Sequence, residues 1–226
     1  MKVMLLAAGK GTRMRELTQV TPKPLLKAGA RSLIEHQIVK LRAAGFTDLV
    51  INHAWLGQQL VDTLGGGREL GVQITWSAEG EPLETAGGIA RALPLLGDAP
   101  FMVVNADIWT DFDFASLTGA LAARDAAHLV LVPNPPQHPR GDFGLSDDGR
   151  LLNRPASPAP AFTYSGIAVF RPTLFEDLPL STYPLLPILE QCIRNGSASA
   201  RVHRGAWSDI GTPERLAALD AELIAV

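Results

Sequence analysis

The chain has 226 residues, which fits one α/β domain or two small ones, and 46% of them are hydrophobic, ample for a sizeable core. Its net charge is −3 with no block of like charges, which argues against a nucleic-acid groove or an anionic membrane surface as partner. The single cysteine, Cys192, excludes an internal disulfide framework and a cysteine-rich zinc site.

Val3–Leu6 is predicted as a buried strand. The apolar run at the start is about six residues, short of the ~7–15 of a secretory segment, and Gly9-Lys10-Gly11-Thr12-Arg13 interrupts it. No stretch approaches the ~20 apolar residues of a membrane span, so a cytoplasmic chain is expected. Ser32-Leu33-Ile34-Glu35 is a capping box, and Ile34, Ile38 and Leu41 mark one face of a helix ending at Gly45. Leu49–Asn52 is the next strand. A helix through Leu56, Leu60 and Leu64 stops at Gly65. Val72–Trp76 reads as a strand, Thr85–Leu93 as a helix and Phe101–Val104 as a strand. This alternation predicts a mostly parallel sheet with helices on both faces.

The pattern loosens after Asp107. Leu129–Val132 is another strand, and Phe143–Leu145 with Leu151–Leu152 form a hairpin around Asp147-Asp148-Gly149. Residues 154–161 hold three prolines and read as a loop. Thr163–Phe170 is a long strand, Pro184–Arg194 a helix, Val202–His203 a short strand and Glu214–Leu223 the last helix. No internal repeat or linker divides the chain, so residues 1–226 are expected to form one domain.

Ligands of open parallel sheets bind beyond the carboxyl ends of the strands, and the candidate chemistry clusters there. Ala7, Ala8, Gly9, Gly11 and Thr12 form a small-residue turn after the first strand, and Arg13 follows. Such a turn lets phosphate approach the backbone, though an ordinary strand-to-helix turn looks the same. The pattern is not a dinucleotide fingerprint, because Gly-x-Gly lacks its third glycine, and the spacing is wrong for a P-loop. Arg13 can fork two phosphate oxygens, and Lys23 between Pro22 and Pro24 is a rigidly presented point charge. Asn105-Ala106-Asp107 ends a strand either as an Asx turn or with a carboxylate suited to Mg²⁺. Asp209 offers a second, distant carboxylate just before Thr212 and Pro213, which read as N-cap and first residue of the last helix. Between Glu79 and Gly88, acids meet a glycine-rich helix start, so Glu79, Thr85 and Gly88 are candidates for a base pocket. The five histidines show no metal spacing, Cys192 reads as core, and no Gly-x-Ser-x-Gly elbow supports a hydrolase.

Taken together these motifs resemble the sugar-1-phosphate nucleotidyltransferases. Gly9-Lys10-Gly11-Thr12-Arg13-Met14 is similar to their G-x-G-T-R-[ML] loop, Pro22-Lys23-Pro24 to their P-K-[PA] lysine, Asn105-Ala106-Asp107 to their metal aspartate, and Asp209-Ile210-Gly211-Thr212-Pro213 to their closing D-I-G-T-P. The order is kept from residue 1 to about 216. The resemblance implies a Rossmann-like three-layer nucleotide-diphospho-sugar transferase fold with a mixed, mostly parallel sheet and no added β-helix domain. It implies Mg²⁺ on Asp107 and Asp209, catalysis by Arg13, Lys23 and Asp107, and a nucleotide along Ala7 to Arg13 with Glu79, Thr85 and Gly88 near the base. For the sugar, Asn105, Asp142, Gly144 and Ser165 are the candidates. Two departures stand out: Glu84 takes the place of the glycine in the usual L-G-T-A-G, and Asn153-Arg154-Pro155 stands where E-K-P is usual. The short form, with Asn52-His53-Ala54-Trp55-Leu56-Gly57 and Glu81-Pro82-Leu83-Glu84-Thr85, looks most like the branch that joins UTP to N-acetylmuramate 1-phosphate. Transfer to glucose or mannose 1-phosphate, cytidylyl transfer to phosphocholine, and a nucleotide-sugar sensor remain alternatives, and oligomeric state is open.

Overall fold

The computed structural model describes residues 1–154 and 160–225. In chain order its strands of three residues or more are β1 (Val3–Leu6), β2 (Asp48–His53), β3 (Gln73–Ala78), β4 (Phe101–Asn105), β5 (Ile108–Thr110) and β6 (Ala127–Val132). Then come β7 (Phe143–Leu145), β8 (Leu151–Asn153), β9 (Thr163–Phe170), β10 (Ala198–Val202) and β11 (Trp207–Asp209). The main helices are α1 (Leu33–Ala43), α2 (Gly57–Leu64), α3 (Glu84–Leu96), α4 (Leu186–Arg194) and α5 (Pro213–Ile224).

Seven strands form the central sheet in the order β10-β6-β9-β4-β1-β2-β3. All pairs are parallel except those of β9, which runs antiparallel to β4 and β6. Successive side chains of a strand point to opposite faces, which is why both faces are covered. Val3 and Leu5 pack with Ile34, Ile38 and Leu41 of α1 and with Leu60 and Leu64 of α2. Met4 packs on the other side with Ile89 of α3 and with Ile188, Leu189 and Cys192 of α4. Each fully buried Leu or Ile contributes roughly 1.5–3 kcal/mol. A smaller cluster of Met14, Leu26, Leu33, Ile210 and Leu219 fastens the first loop to α1 and α5. The fold is thus a three-layer, mostly parallel α/β sheet, and Cys192 is core, its thiol pushed up by burial. No helix among the described residues is long and apolar enough to cross a membrane.

The capping box of α1 is formed as predicted, with Ser32 and Glu35 exchanging side-chain and backbone hydrogen bonds. Thr212 caps α5 by accepting from the Arg215 N–H, with Pro213 at its first position. Three elements differ from the sequence reading. α3 runs on past Leu93 to Leu96, because Pro94 sits in its last turn, where it removes one donor without unseating the packed face. The strand expected at Val202–His203 is Ala198–Val202, whose small residues Ala198 and Ala200 carry little hydrophobic signal. β5 and β11 pair antiparallel and were not apparent, since three-residue strands show no periodicity. Most of the proline-rich loop, including Pro155, lies outside the described residues.

A polar chain fixes the edge strand β10. Buried His128 on β6 lies with Nδ1 2.9 Å from Ser199 Oγ, and Arg201 Nε donates to its Nε2 at 3.3 Å. Ser199 Oγ donates to Asp125 Oδ2 at 2.7 Å, and Arg150 Nη1 to Asp125 Oδ1 at 2.8 Å. Burial, reinforced by the Arg201 charge and opposed by Asp125, pushes the imidazole from 6.5 down to about 4. Between those values the unfolded chain binds one more proton than the folded one. Stability therefore rises with pH by up to about 1.4 kcal/mol per unit in that window and is lost as pH falls through it. Thermal melts should show a fall in stability from pH 6.5 to about 4 that is shallower in His128→Gln. Equal slopes in the two proteins would remove His128 as the cause.

Candidate active site

The strand order reverses around β1, with β2 and β3 on one side and β4 on the other. At that switch point a cleft of about 360 Å³ opens beyond the carboxyl ends of the strands. Ala7, Ala8, Gly9, Gly11, Thr12 and Arg13 all line it. Gly11 has φ +62°, and a methyl group on it would fall 3.0 Å from Thr18 Cγ2 and 3.1 Å from Lys23 Cβ. The turn therefore needs glycine for its conformation and its crowding alike. A one-turn helix at Thr12–Met14 buries Met14 and leaves Arg13 exposed at the cleft wall.

Asn52, at the end of β2, supports one side of this cleft. Its Oδ1 accepts from the Ala7 N–H at 2.8 Å, and its Nδ2 donates to Glu79 Oε1 at 2.6 Å. Glu79 Oε2 accepts from the Leu83 N–H at 2.9 Å. The ends of β1, β2 and β3 and the approach to α3 are thus joined through two buried side chains. The Ala7 amide is occupied by this link and is not free for phosphate. Burial pushes the Glu79 carboxyl above its usual range, opposed by these hydrogen bonds. Gly88 does not line the cleft. It sits behind Glu79, where a methyl group would lie 2.5 Å from Oε1. Thr85 and Glu84 do line it. Glu84 is exposed and holds φ +59°, a conformation that costs a non-glycine residue about 1 kcal/mol.

Opposite, Lys23 is 7% exposed and forms an ion pair with Asp107 Oδ2. The β5–β11 ribbon sets Asp209 opposite Ile108, next to Asp107, and the Ile210 N–H donates to the Asp107 carbonyl at 2.8 Å. The two aspartates, 102 positions apart by their numbers, are therefore neighbours in space. Asp209 Oδ1 accepts from Arg215 Nη1 and from Gln137 Nε2, each at 2.7 Å. Among the described residues no group of three or more His, Cys, Asp or Glu side chains could hold a metal unaided. Two part-exposed carboxylates beside the glycine turn do match the donor set of Mg²⁺, which takes the rest of its shell from water and substrate phosphate.

A second cleft, of about 580 Å³, shares Thr85 and Asn105 with the first. Asp142 lines it, held by Tyr164 N–H at 2.8 Å and by His138 Nε2 at 2.9 Å. Tyr164, Asn153 and Arg154 contribute polar groups, and Leu185, Leu186 and Leu189 an apolar wall. Burial pushes the Tyr164 phenol up. Gly144 and Ser165 line neither cleft. Gly144 pairs with Leu152 inside the β7–β8 hairpin. Ser165 is 1% exposed and its hydroxyl donates to the Val130 carbonyl at 2.7 Å within the bulge of β9. Sequence reasoning gave Asn52 no role in the site, although a polar residue closing the apolar run Leu49–Ile51 is the same signal that Asn105 gives after Phe101–Val104. It also passed over Arg215 and the α4 leucines, which carry no local signal.

The chain matches the Nucleotidyl transferase family over residues 2–225. The N-acetylmuramate alpha-1-phosphate uridylyltransferase of Neisseria meningitidis is 47% identical, the match covering 96% of this chain and 95% of that protein. The one from Caulobacter vibrioides is 34% identical over 97% of this chain and 96% of that protein. A solved Bacillus anthracis protein assigned as a glucose-1-phosphate thymidylyltransferase superposes with a TM-score of 0.87 at 22% identity, covering 100% of this chain and 96% of its own, and so shares the fold. With its switch-point cleft and its glycine turn, the chain belongs to the nucleotidyl transferase family.

Proposed function

We propose that this protein transfers the uridylyl group of UTP to N-acetyl-α-D-muramate 1-phosphate, giving UDP-N-acetylmuramate and pyrophosphate. The observation that carries the chemistry is the cleft in which Arg13, Lys23 and Asp107 converge and which opens through Thr85 and Asn105 into a second one. The choice of acceptor is supported by the 47% identity to the Neisseria enzyme along nearly the whole length of both chains. Such a reaction would return muramic acid recovered from the cell wall to nucleotide-bound form, in the cytoplasm where UTP is made.

The nucleophile is a phosphate oxygen of the acceptor, already ionised at neutral pH. Its bond to the α-phosphorus forms while the bond from that phosphorus to the β-phosphate oxygen breaks, and pyrophosphate leaves with the electron pair. No general base is required, so the protein aligns and neutralises. Lys23 carries its charge to the α-phosphate. Arg13 forks the β- and γ-phosphates. Gly9, Gly11 and Thr12 give the triphosphate close backbone contact, and Glu79 and Gly88 hold the wall on which the base rests. Asn105 stands between donor and acceptor clefts, and Asp142 faces the sugar. Mg²⁺ bound by Asp107 and Asp209 would supply further charge neutralisation on the phosphates.

Loss of a transition-state donor of this kind lowers turnover by ~10²–10³. Lys23→Ala and Asp107→Asn should fall by about that factor in UTP-dependent pyrophosphate release, with melting curves still cooperative. Near-normal turnover in either would overturn the mechanism. A screen of four NTPs against N-acetylmuramate, glucose and mannose 1-phosphates and phosphocholine tests the substrates, and preference for another pair would replace the proposed one. Removing Asn52 leaves the buried Ala7 N–H and Glu79 Oε1 without their partner, which costs ~1–3 kcal/mol. Asn52→Ala and Gly88→Ala should both weaken UTP binding by calorimetry and lower the melting temperature, because both displace Glu79.

A further inference from the structure

The aspartates that the proposed reaction assigns to the metal are both already paired with a cation. Lys23 pairs with Asp107, and Arg215 with Asp209 through Nη1 at 2.7 Å. Arg215 does more than form an ordinary surface pair. Its side chain is 20% exposed, and its Nε is buried with no hydrogen-bond partner among the described residues. Its guanidinium also lies against Gly211. A methyl group at Gly211 would collide with Arg215 Nη2 and lie 3.1 Å from Arg13 Nη1 and 3.1 Å from Asp209 Oδ2. Gly211 itself lines the cleft. The bare Cα of this glycine therefore leaves room for two guanidiniums and a carboxylate to meet at the mouth of the nucleotide site.

We propose that Arg215 is a positioning residue that guards Asp209 in the nucleotide-free protein and passes to the triphosphate when a metal–nucleotide complex arrives. Lys23 makes the same exchange at Asp107. Each aspartate is already neutralised by a cation at one oxygen, so a bare divalent ion that binds there would strand two cations beside it. The triphosphate removes that obstacle, because its oxygens take over both cations as the metal takes both carboxylates. The buried Nε donor gains an acceptor in the same movement. Metal and nucleotide consequently bind together far better than either binds alone, and linkage requires each to raise the affinity of the other by the same factor.

The inference rests on the nucleotidyl-transfer reading, and its test separates the two. Mn²⁺ binding is followed by electron paramagnetic resonance, with and without a UTP analogue that cannot be cleaved between the α- and β-phosphates. The unmodified protein should bind Mn²⁺ weakly alone and tightly with the analogue. Arg215→Met should raise nucleotide-free Mn²⁺ affinity about tenfold and shrink the gain given by the analogue, while raising KM for UTP more than it lowers kcat. Arg215→Lys should restore weak nucleotide-free binding. Arg215→Gln, whose amide can still donate to Asp209, serves as a second neutral variant if the methionine variant unfolds, and should also bind nucleotide-free Mn²⁺ more tightly. Unchanged nucleotide-free affinity in the neutral variants overturns the role of Arg215 and leaves the reaction standing. A protein that binds no UTP analogue at all overturns the reaction itself.

Discussion

A lysine buried to the degree of Lys23 needs a counter-charge, and it finds it in Asp107. That requirement shapes the site. The segment from Gly11 to Pro24 must fold down over the end of β4 to bring the lysine there, which crowds Gly11 against Thr18 and Lys23. The fold then holds the segment from its outer side: Thr18 Oγ1 donates to the Gly11 carbonyl at 3.0 Å, and the indole of Trp55 donates to the Thr18 carbonyl at 2.9 Å. Met14 below it joins the small apolar cluster with Ile210 and Leu219, so the glycine turn and the closing Asp209-Ile210-Gly211 segment share one foundation. Charge pairing sets where the loop goes, and packing sets how firmly it stays.

Much of the fold was readable in the chain because its signals are local. The runs of β1, β2 and β4, the capping box of α1 and the Thr212-Pro213 start of α5 each lie within a few neighbouring residues. The β5–β11 ribbon was not, since it joins three-residue segments about a hundred positions apart that have no periodicity of their own. The same distinction separates the site residues. Arg13, Lys23 and Asp107 announce themselves through glycine, proline and strand-end contexts. Asn52 and Arg215 meet their partners only once the chain has folded. Ser165, expected at the sugar, is instead buried in the bulge of β9 with its hydroxyl bonded to the Val130 carbonyl, a placement no local signal gives.

The two clefts meet at Thr85 and Asn105, and this junction has a structural origin. β9 bulges between Tyr164 and Ile167 against β6, and Gly166, at φ +82°, comes so near that a methyl group on it would lie 2.7 Å from Asn105 Nδ2. The one strand that runs against the rest of the sheet thus presses on a residue that lines both clefts. Trp207 locks the bulge by donating to the Ser165 carbonyl at 2.9 Å, which ties β11, and with it Asp209, to the same point.

Glu84 occupies a left-handed conformation where the resembling pattern reads glycine. Its neighbours leave it little choice: the Leu83 N–H is held by Glu79, the Leu83 carbonyl accepts from Tyr183 at 2.9 Å, and the Tyr183 carbonyl accepts from Ala86 at 3.0 Å. The backbone shape at the head of α3 is therefore held from both flanks, which lets a residue other than glycine bear the cost of this conformation. What such a motif records is a path of the main chain. A position freed from the need for glycine can carry a carboxylate to the rim of the cleft, and one fold can in this way vary the chemistry at its entrance while the chain beneath keeps its course.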